Sequence, residues 1–335
     1  MKKTVRWGVL STAKIARNQV IPAMKAGERS EIVALASRDE ARAREAAAAL
    51  GIPKAYGSYE ALLADPDIDA IYNPLPNHLH ASLTIQALRA GKHVLCEKPI
   101  ALDADEARAI EAVRAETGLI VAEAFMVRHH PQWRRVREII DSGRVGDVRA
   151  IQTTFSYYLV DPTNIRNQPG IGGGGLYDIG CYALNTARYV FAGEPERVIG
   201  LFDTDPVMGT DRMTSGLAEF AGHRHLAFTC ATQLVPTQRV TILGTSGRIE
   251  IAIPFNAPAG GEVEIHVDDG RDLTGGGRET ITLPASNQYT LQGDAFSRAV
   301  LGEESIEWGL DDAVSNMRAI DAFFRSAQSG QWERP

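Results

Sequence analysis

The sequence is short of three things that usually announce a specialised environment. It has only three cysteines in 335 residues, Cys96, Cys181 and Cys230, and they lie far apart. Three cannot build a disulfide framework, and their separation lacks metal-ligand spacing, so a reducing cytoplasm is the expected compartment. No apolar run reaches the about 18 residues that a membrane span requires, and Gly8 interrupts the first apolar run before a signal segment forms. No block of Lys or Arg stands out either. With 35 basic and 42 acidic residues the formal charge is −7, which argues against nucleic acid or an anionic membrane surface as partner.

What is present is an ordinary soluble composition, 44% hydrophobic and 23% charged, at a length that suits about two domains. Glycine is the informative residue, with 31 copies unevenly spread. The first third alternates short apolar runs at 4–10, 31–37, 69–72, His93–Cys96 and 120–124 with helical stretches reaching Lys25 and covering 39–50, 78–90 and 103–117. Strands of a few residues separated by long helices predict βαβ units and a doubly wound parallel sheet, an α/β Rossmann domain over residues 1–124. After Gly143 the texture changes to consecutive strands at Val148–Tyr158, 197–202, 213–220, 226–232, 240–244 and 249–253, with one helix near 178–191. Short Gly-containing connections predict an α+β domain with an open, mainly antiparallel sheet over residues 125–335. Helical spacing returns at 291–301 and Leu310–Ser329, and these helices are free to pack back on the first domain. Gly275, Gly276 and Gly277 mark an exposed hairpin turn.

The first strand runs into Gly8-Val9-Leu10-Ser11-Thr12-Ala13-Lys14-Ile15. This segment stands where a glycine-rich dinucleotide turn would, with Ser11 and Ala13 as small substitutes and Gly8 the one literal match. At the end of the second strand, Ser37 and Arg38 offer a hydroxyl and a cation for a 2′-phosphate, whereas Asp39 comes late and reads as a helix cap. That pattern favours NADP over NAD. Glu97-Lys98-Pro99 follows the strand His93–Cys96, where α/β enzymes place ligands, and Pro99 suits a cis bond. Gly172, Gly173, Gly174 and Gly175 open a helix on which Asp178 and Tyr182 are spaced i, i+4 and share a face, an acid and a phenol suited to proton transfer. The histidine pairs His78/His80 and His223/His225, and His129/His130, lack a third ligand at recognised spacing, so no metal is expected.

Taken together, the N-terminal turn, Pro76-Asn77, Glu97-Lys98-Pro99 and the glycine-led helix with Asp178 and Gly180 resemble the glucose–fructose oxidoreductase / inositol dehydrogenase / MocA family of NAD(P)-dependent oxidoreductases. The likeness extends over essentially the whole chain. It implies a Rossmann domain followed by an open-sheet domain often used for dimer or tetramer packing, and it places Lys98 and Asp178 beside nicotinamide and substrate. Many members carry His four residues after that Asp. Tyr182 stands there instead and looks like the glucose–fructose oxidoreductase, D-xylose dehydrogenase and dihydrodiol dehydrogenase branches, which weakens an inositol dehydrogenase reading.

The expected catalytic residues are Lys98, Asp178 and Tyr182. The expected cofactor contacts are Gly8, Ser11, Thr12, Ala13, Ile15, Ser37, Arg38, Pro76, Asn77, His80, Glu97, Lys98 and Arg166. The expected substrate contacts are Phe125, Arg128, Tyr157, Asp178, Tyr182 and Tyr289. An unperturbed phenol titrates near ~10, so a neighbouring ammonium, that of Lys98, is expected to lower Tyr182 toward neutrality. The function these residues imply is hydride transfer between NADP and a sugar, polyol or related hydroxyl or carbonyl compound, in a homodimer or homotetramer. An NAD-dependent glycosidase and a non-catalytic nucleotide-binding regulator remain the alternatives.

Overall fold

The computed structural model describes residues 3–335. The chain forms two compact units, one from the chain up to Met126 with Tyr289–Met317, the other from Val127–Gln288 with Arg318–Pro335.

The first unit is built on strands β1 (Val5–Leu10), β2 (Ser30–Ala36), β3 (Lys54–Tyr56), β4 (Ala70–Asn73), β5 (His93–Cys96) and β6 (Val121–Glu123), all parallel in the order β3-β2-β1-β4-β5-β6. This is the Rossmann order, with the reversal of direction between β1 and β4. Its helices are α1 (Ile21–Lys25), α2 (Glu40–Leu50), α3 (Tyr59–Leu63), α4 (His80–Arg89) and α5 (Ala104–Thr117). Their ends obey local chemistry. The side chains of Asp39 and Asp103 accept the backbone amides of Arg42 and Glu106, and left-handed Gly51 and Gly118 close the same two helices. Short β3 and α3 fall between the expected elements, too brief for periodicity to reveal.

Trp7 anchors this core with no exposed surface, its indole Nε1 donating to Ser297 Oγ at 3.1 Å and its ring 5.2 Å from that of Phe296. Both partners lie on helix α8 (Gln288–Val300). Burying such a side chain contributes about 2–3 kcal/mol, and the indole N–H keeps its hydrogen bond.

In the second unit, helix α6 (Pro131–Asp141) precedes strand β7 (Val148–Tyr158), and helix α7 (Cys181–Phe191) separates it from β8 (Pro195–Thr204), β9 (Asp211–Phe220), β10 (Arg224–Ala231), β11 (Gln233–Gly244), β12 (Arg248–Ile251), β13 (Val263–Asp268) and β14 (Arg278–Leu283). The eight strands lie in the order β14-β13-β12-β11-β7-β10-β9-β8. Their pairings are antiparallel except β7 with β10. The expected open antiparallel sheet is therefore present, with β13 and β14 added at its edge and Gly275 in the hairpin between them, as its glycines indicated. Helix α6 was not anticipated. Its Trp133 is buried and donates to Pro254 O at 2.8 Å, tying it to the loop after β12. Helix α9 (Leu310–Ser329) ends the chain, contributing to the first unit as far as Met317 and to the second beyond it.

Candidate active site

In the first unit the turn after β1 is made differently from its motif. Gly8 lies inside the strand, paired with Ala34 and Ile71, and an added Cβ would approach Leu62 Cδ2 to 2.8 Å and Ile71 Cδ1 to 3.1 Å. Gly8 therefore serves packing, not the chain reversal expected of it. The reversal falls on Ser11, whose φ of 86° is a conformation that a residue with a Cβ seldom adopts. Its hydroxyl accepts the Ala13 amide at 3.0 Å, which holds the turn in the way an ST-motif does. Thr12, Ala13 and Ile15 are half-buried behind it, and the helix opens with a π-turn, Ala16–Val20, before α1. At the end of β2 the Ser37 hydroxyl accepts the Asp39 amide at 3.2 Å, while Arg38 is exposed and bonds the Tyr59 side chain.

The loops after β4 and β5 are braced by a residue expected to touch cofactor. His80 is 1% exposed, with Nδ1 2.7 Å from Pro99 O and Nε2 2.6 Å from Leu75 O. A neutral ring carries one N–H and can donate to only one of these carbonyls at a time. Burial pushes its pKa down to about 4 against the pull of the two carbonyls. Buried between the Leu75 and Pro99 carbonyls, His80 is a strut between two loops, where a cofactor contact was anticipated. Around the same loops, Tyr72 donates to Glu97 Oε1 at 2.6 Å, and the Ile100 amide donates to Glu123 Oε1 at 2.8 Å. Half-buried Lys98 sits between these fixed residues, and the Lys98–Pro99 bond is cis. Burial and the nearby Glu97 charge raise both the Tyr72 and Tyr289 hydroxyls, which keeps them proton donors. Pro76 and Asn77 are half-buried at the start of a short 3₁₀ turn.

The second unit assembles the acid and the phenol. The glycine run leads into a π-turn, Leu176–Gly180, which passes into α7 at Cys181. Asp178 lies in the π-turn and Tyr182 in the first turn of α7, so their spacing spans a register change that the apolar pattern did not disclose; such bulges recur at functional sites. Asp178 Oδ2 accepts the Tyr157 hydroxyl at 2.6 Å and faces Arg166 Nε at 2.9 Å. Asp178 in turn raises the Arg166 guanidinium, while burial and then the Asp178 charge drive the Tyr157 hydroxyl upward. Tyr157 is thereby a fixed donor and Asp178 a fixed acceptor. Arg166, expected at the cofactor, is paired with Asp178. Tyr182 is 5% exposed, its ring 5.9 Å from Phe155 and 5.3 Å from Phe255, and Phe155 and Phe255 stack at 4.8 Å. This aromatic box fixes the ring plane.

Two expected substrate contacts are buried within the protein. Arg128 is 3% exposed, donating from Nη2 to Asn185 O at 3.0 Å with its guanidinium 5.8 Å from the Tyr189 ring centre, and so it holds α7. Phe125 is buried in the first unit. Conversely, Phe255 and Asp211 were not anticipated. Nothing in sequence spacing links either residue to Tyr182. The glycines are also explained from within: an added Cβ on Gly173 would lie 2.7 Å from the carbonyls of Arg166 and Gln168, and one on Gly174 would overlap the Asp211 carboxylate. The close approach expected of a ligand is made by the protein's own backbone and carboxylate.

Comparison with known proteins bears on both units. Residues 5–125 match the family described as "Oxidoreductase family, NAD-binding Rossmann fold", and residues 133–250 match "GFO/IDH/MocA C-terminal domain". An uncharacterized oxidoreductase of Rhizobium meliloti is 45% identical over 98% of this chain and 98% of its own. D-xylose 1-dehydrogenase (NADP(+)) 2 of Haloferax volcanii is 40% identical over 97% of this chain and 98% of its own. Among solved structures, a 3-ketoreductase from Actinomadura kijaniata in complex with NADP and TDP-benzene superposes with a TM-score of 0.90 at 32% identity, covering 96% of this chain and 98% of that one.

Proposed function

This chain belongs to the GFO/IDH/MocA family of oxidoreductases with an NAD-binding Rossmann fold, and from that membership we propose that it transfers hydride between NADP and the hydroxyl or carbonyl carbon of a sugar, polyol or related compound. The observation that carries the reading is the pairing of Tyr182, boxed by Phe155 and Phe255, with an Asp178 clamped by Tyr157 and Arg166 on the same helical segment. The dinucleotide fits the first unit. Left-handed Ser11 makes the turn at the carboxyl end of β1, and exposed Arg38 beside Ser37 supplies a cation and a hydroxyl for the 2′-phosphate. The NADP in the name of the Haloferax enzyme and in the Actinomadura complex supports that choice.

Bound NADP supplies or accepts the hydride at its nicotinamide ring. Tyr182 exchanges the proton at the substrate oxygen, and we assign Lys98, at the carboxyl end of β5, to the catalytic set. Asp178 orients the substrate hydroxyl, itself fixed by Arg166 and Tyr157. We assign cofactor recognition to residues 1–124, and substrate recognition and self-association to residues 125–335. A homodimer or homotetramer through the outer face of the eight-stranded sheet accounts for a shallow hollow of about 800 Å³ there, lined by Thr154, Leu201, Leu217, Thr229, Arg239 and Thr241, with Leu201 76% exposed. Cys96, Cys181 and Cys230, buried as thiols and not in disulfides, suit a reducing cytoplasm.

The test follows absorbance at the reduced-nicotinamide band while aldoses, anhydro-sugars and diols are screened with NADP and NAD separately. Turnover with NADP preferred, and a loss of roughly a hundredfold or more in kcat for Tyr182→Phe with cofactor still bound, is the expected result. No turnover with any of these compounds would sink the dehydrogenase reading, and an NAD preference would sink the role of Arg38.

A further inference from the structure

We propose that Asp211 is a positioning residue for the segment that carries Asp178 and Tyr182, acting through the backbone of the glycine run. Asp211 opens strand β9 and is 7% exposed, 35 residues along the chain from the amide it binds. Its Oδ2 accepts the Leu176 amide at 2.7 Å and the Thr214 hydroxyl at 2.9 Å. The Gly175 amide and its own amide also donate to the carboxylate. Leu176 is the first residue of the π-turn, two before Asp178, so the carboxylate caps the one place where a helix leaves its amides unpaired.

The glycine run is shaped to admit this group. Gly174 has φ +122° and presents no Cβ to Asp211 Oδ1, while a Cβ on Gly175 would lie 3.2 Å from Asp211 O. Without the carboxylate the π-turn would lose its fixed end, and Asp178 and Tyr182 would lose their common register. A displacement of that kind costs rate more than binding, because catalysis needs reacting groups placed to within a fraction of an ångström.

Desolvation by burial dominates the carboxyl group and pushes it up to about 6, against the amides and the Thr214 hydroxyl that favour the charged form. Cys230 on β10 feels the charge of Asp211 first and then those of Cys181, at the start of α7, and Asp178. Arg212, its neighbour on β9, is turned to Asp203 at 2.9 Å. Protonation replaces a strong acceptor by a weak one, so the turn loosens as the carboxyl takes up its proton.

The kinetic arm of the test rests on the dehydrogenase reading; the structural arm does not. Hydrogen exchange by mass spectrometry should show residues 174–182 exchanging about tenfold faster or more in Asp211→Asn, as follows from loss of a hydrogen bond to a charged group, with the first unit unchanged. In turnover assays Asp211→Asn should lower kcat roughly tenfold, leave the affinity for NADPH measured by fluorescence unchanged, and flatten the acid limb expected of the wild type near pH 6. Thr214→Val, which removes one donor and keeps the shape, should move that limb to higher pH. Unchanged exchange at 174–182 overturns the proposal whether or not a substrate has been found. So does an acid limb that neither variant moves, or a kcat lost only in proportion to unfolded protein. Absence of any wild-type turnover with exchange altered as expected would instead count against the assigned reaction.

Discussion

Replacing Gly174 by alanine tests the physical account of the glycine run. At φ +122° any residue with a Cβ carries backbone strain of about 1–3 kcal/mol. The new Cβ would also displace the Asp211 carboxylate, stretching or breaking its 2.7 Å bond from the Leu176 amide, a further loss of about 1.5–3 kcal/mol for a bond to a charged acceptor. Together these come to about 4 kcal/mol, a large fraction of the about 5–15 kcal/mol that holds a protein folded. In a unit of this size that corresponds to a fall of roughly 8–16 °C in melting temperature. Gly170 supplies the control, since nothing lies within 4 Å of a Cβ added there. Gly170→Ala should therefore stay within about 0.5 kcal/mol of wild type. Differential scanning calorimetry gives the shift, and hydrogen exchange assigns it to the second unit. Equal melting temperatures for the two variants, or a Gly174→Ala protein as stable as the wild type, would refute the reasoning.

His80→Ala should cost about 2–4 kcal/mol in urea unfolding, because it removes a buried ring and strands whichever of the Leu75 and Pro99 carbonyls accepts its N–H; a loss below about 1 kcal/mol, on the order of a surface change, would show that the ring is not a strut. Ser11→Gly should keep or raise stability by relieving a left-handed residue, whereas Ser11→Val should lower it by about 2 kcal/mol. Thermal melts that rank the two the other way would contradict that. For Asp211, the native carboxyl at about 6 binds its proton more readily than in the unfolded chain, where 3.8 is the ordinary value. Its contribution therefore falls as pH rises from 4 to 6 and is flat above, by at most about 1.4 kcal/mol per pH unit. The stability of Asp211→Asn relative to wild type should accordingly rise over that window in urea titrations; a difference that does not change with pH rules it out.

Much of the first unit was legible because its signals are local. The caps Asp39 and Asp103 and the closing glycines Gly51 and Gly118 act within one turn of the elements they end, so a short window of sequence contains the whole interaction. Strand β14 was missed for the opposite reason. Its residues are exposed or half-exposed on both faces, and an edge strand of that kind carries no alternation to read. The π-turns at Ala16–Val20 and Leu176–Gly180 escaped because one extra residue in a turn leaves the apolar spacing almost unchanged.

The candidate site divides along the same line. Residue types and spacing singled out Asp178 four positions before Tyr182, Arg38 at the end of the second apolar run and Lys98 after the run His93–Cys96, because strand ends follow from local periodicity. Only the folded chain decided what surrounds them: that Asp178 is clamped by Tyr157 and Arg166, that Tyr182 is boxed by Phe155 and Phe255, and that His80 and Arg128 serve the protein itself. Gly8 and Gly174 show the physical reason most directly. Each is glycine because a distant atom, the Leu62 side chain or the Asp211 carboxylate, occupies the space of its missing Cβ. Such contacts close long loops, and nothing in the neighbouring residues records them.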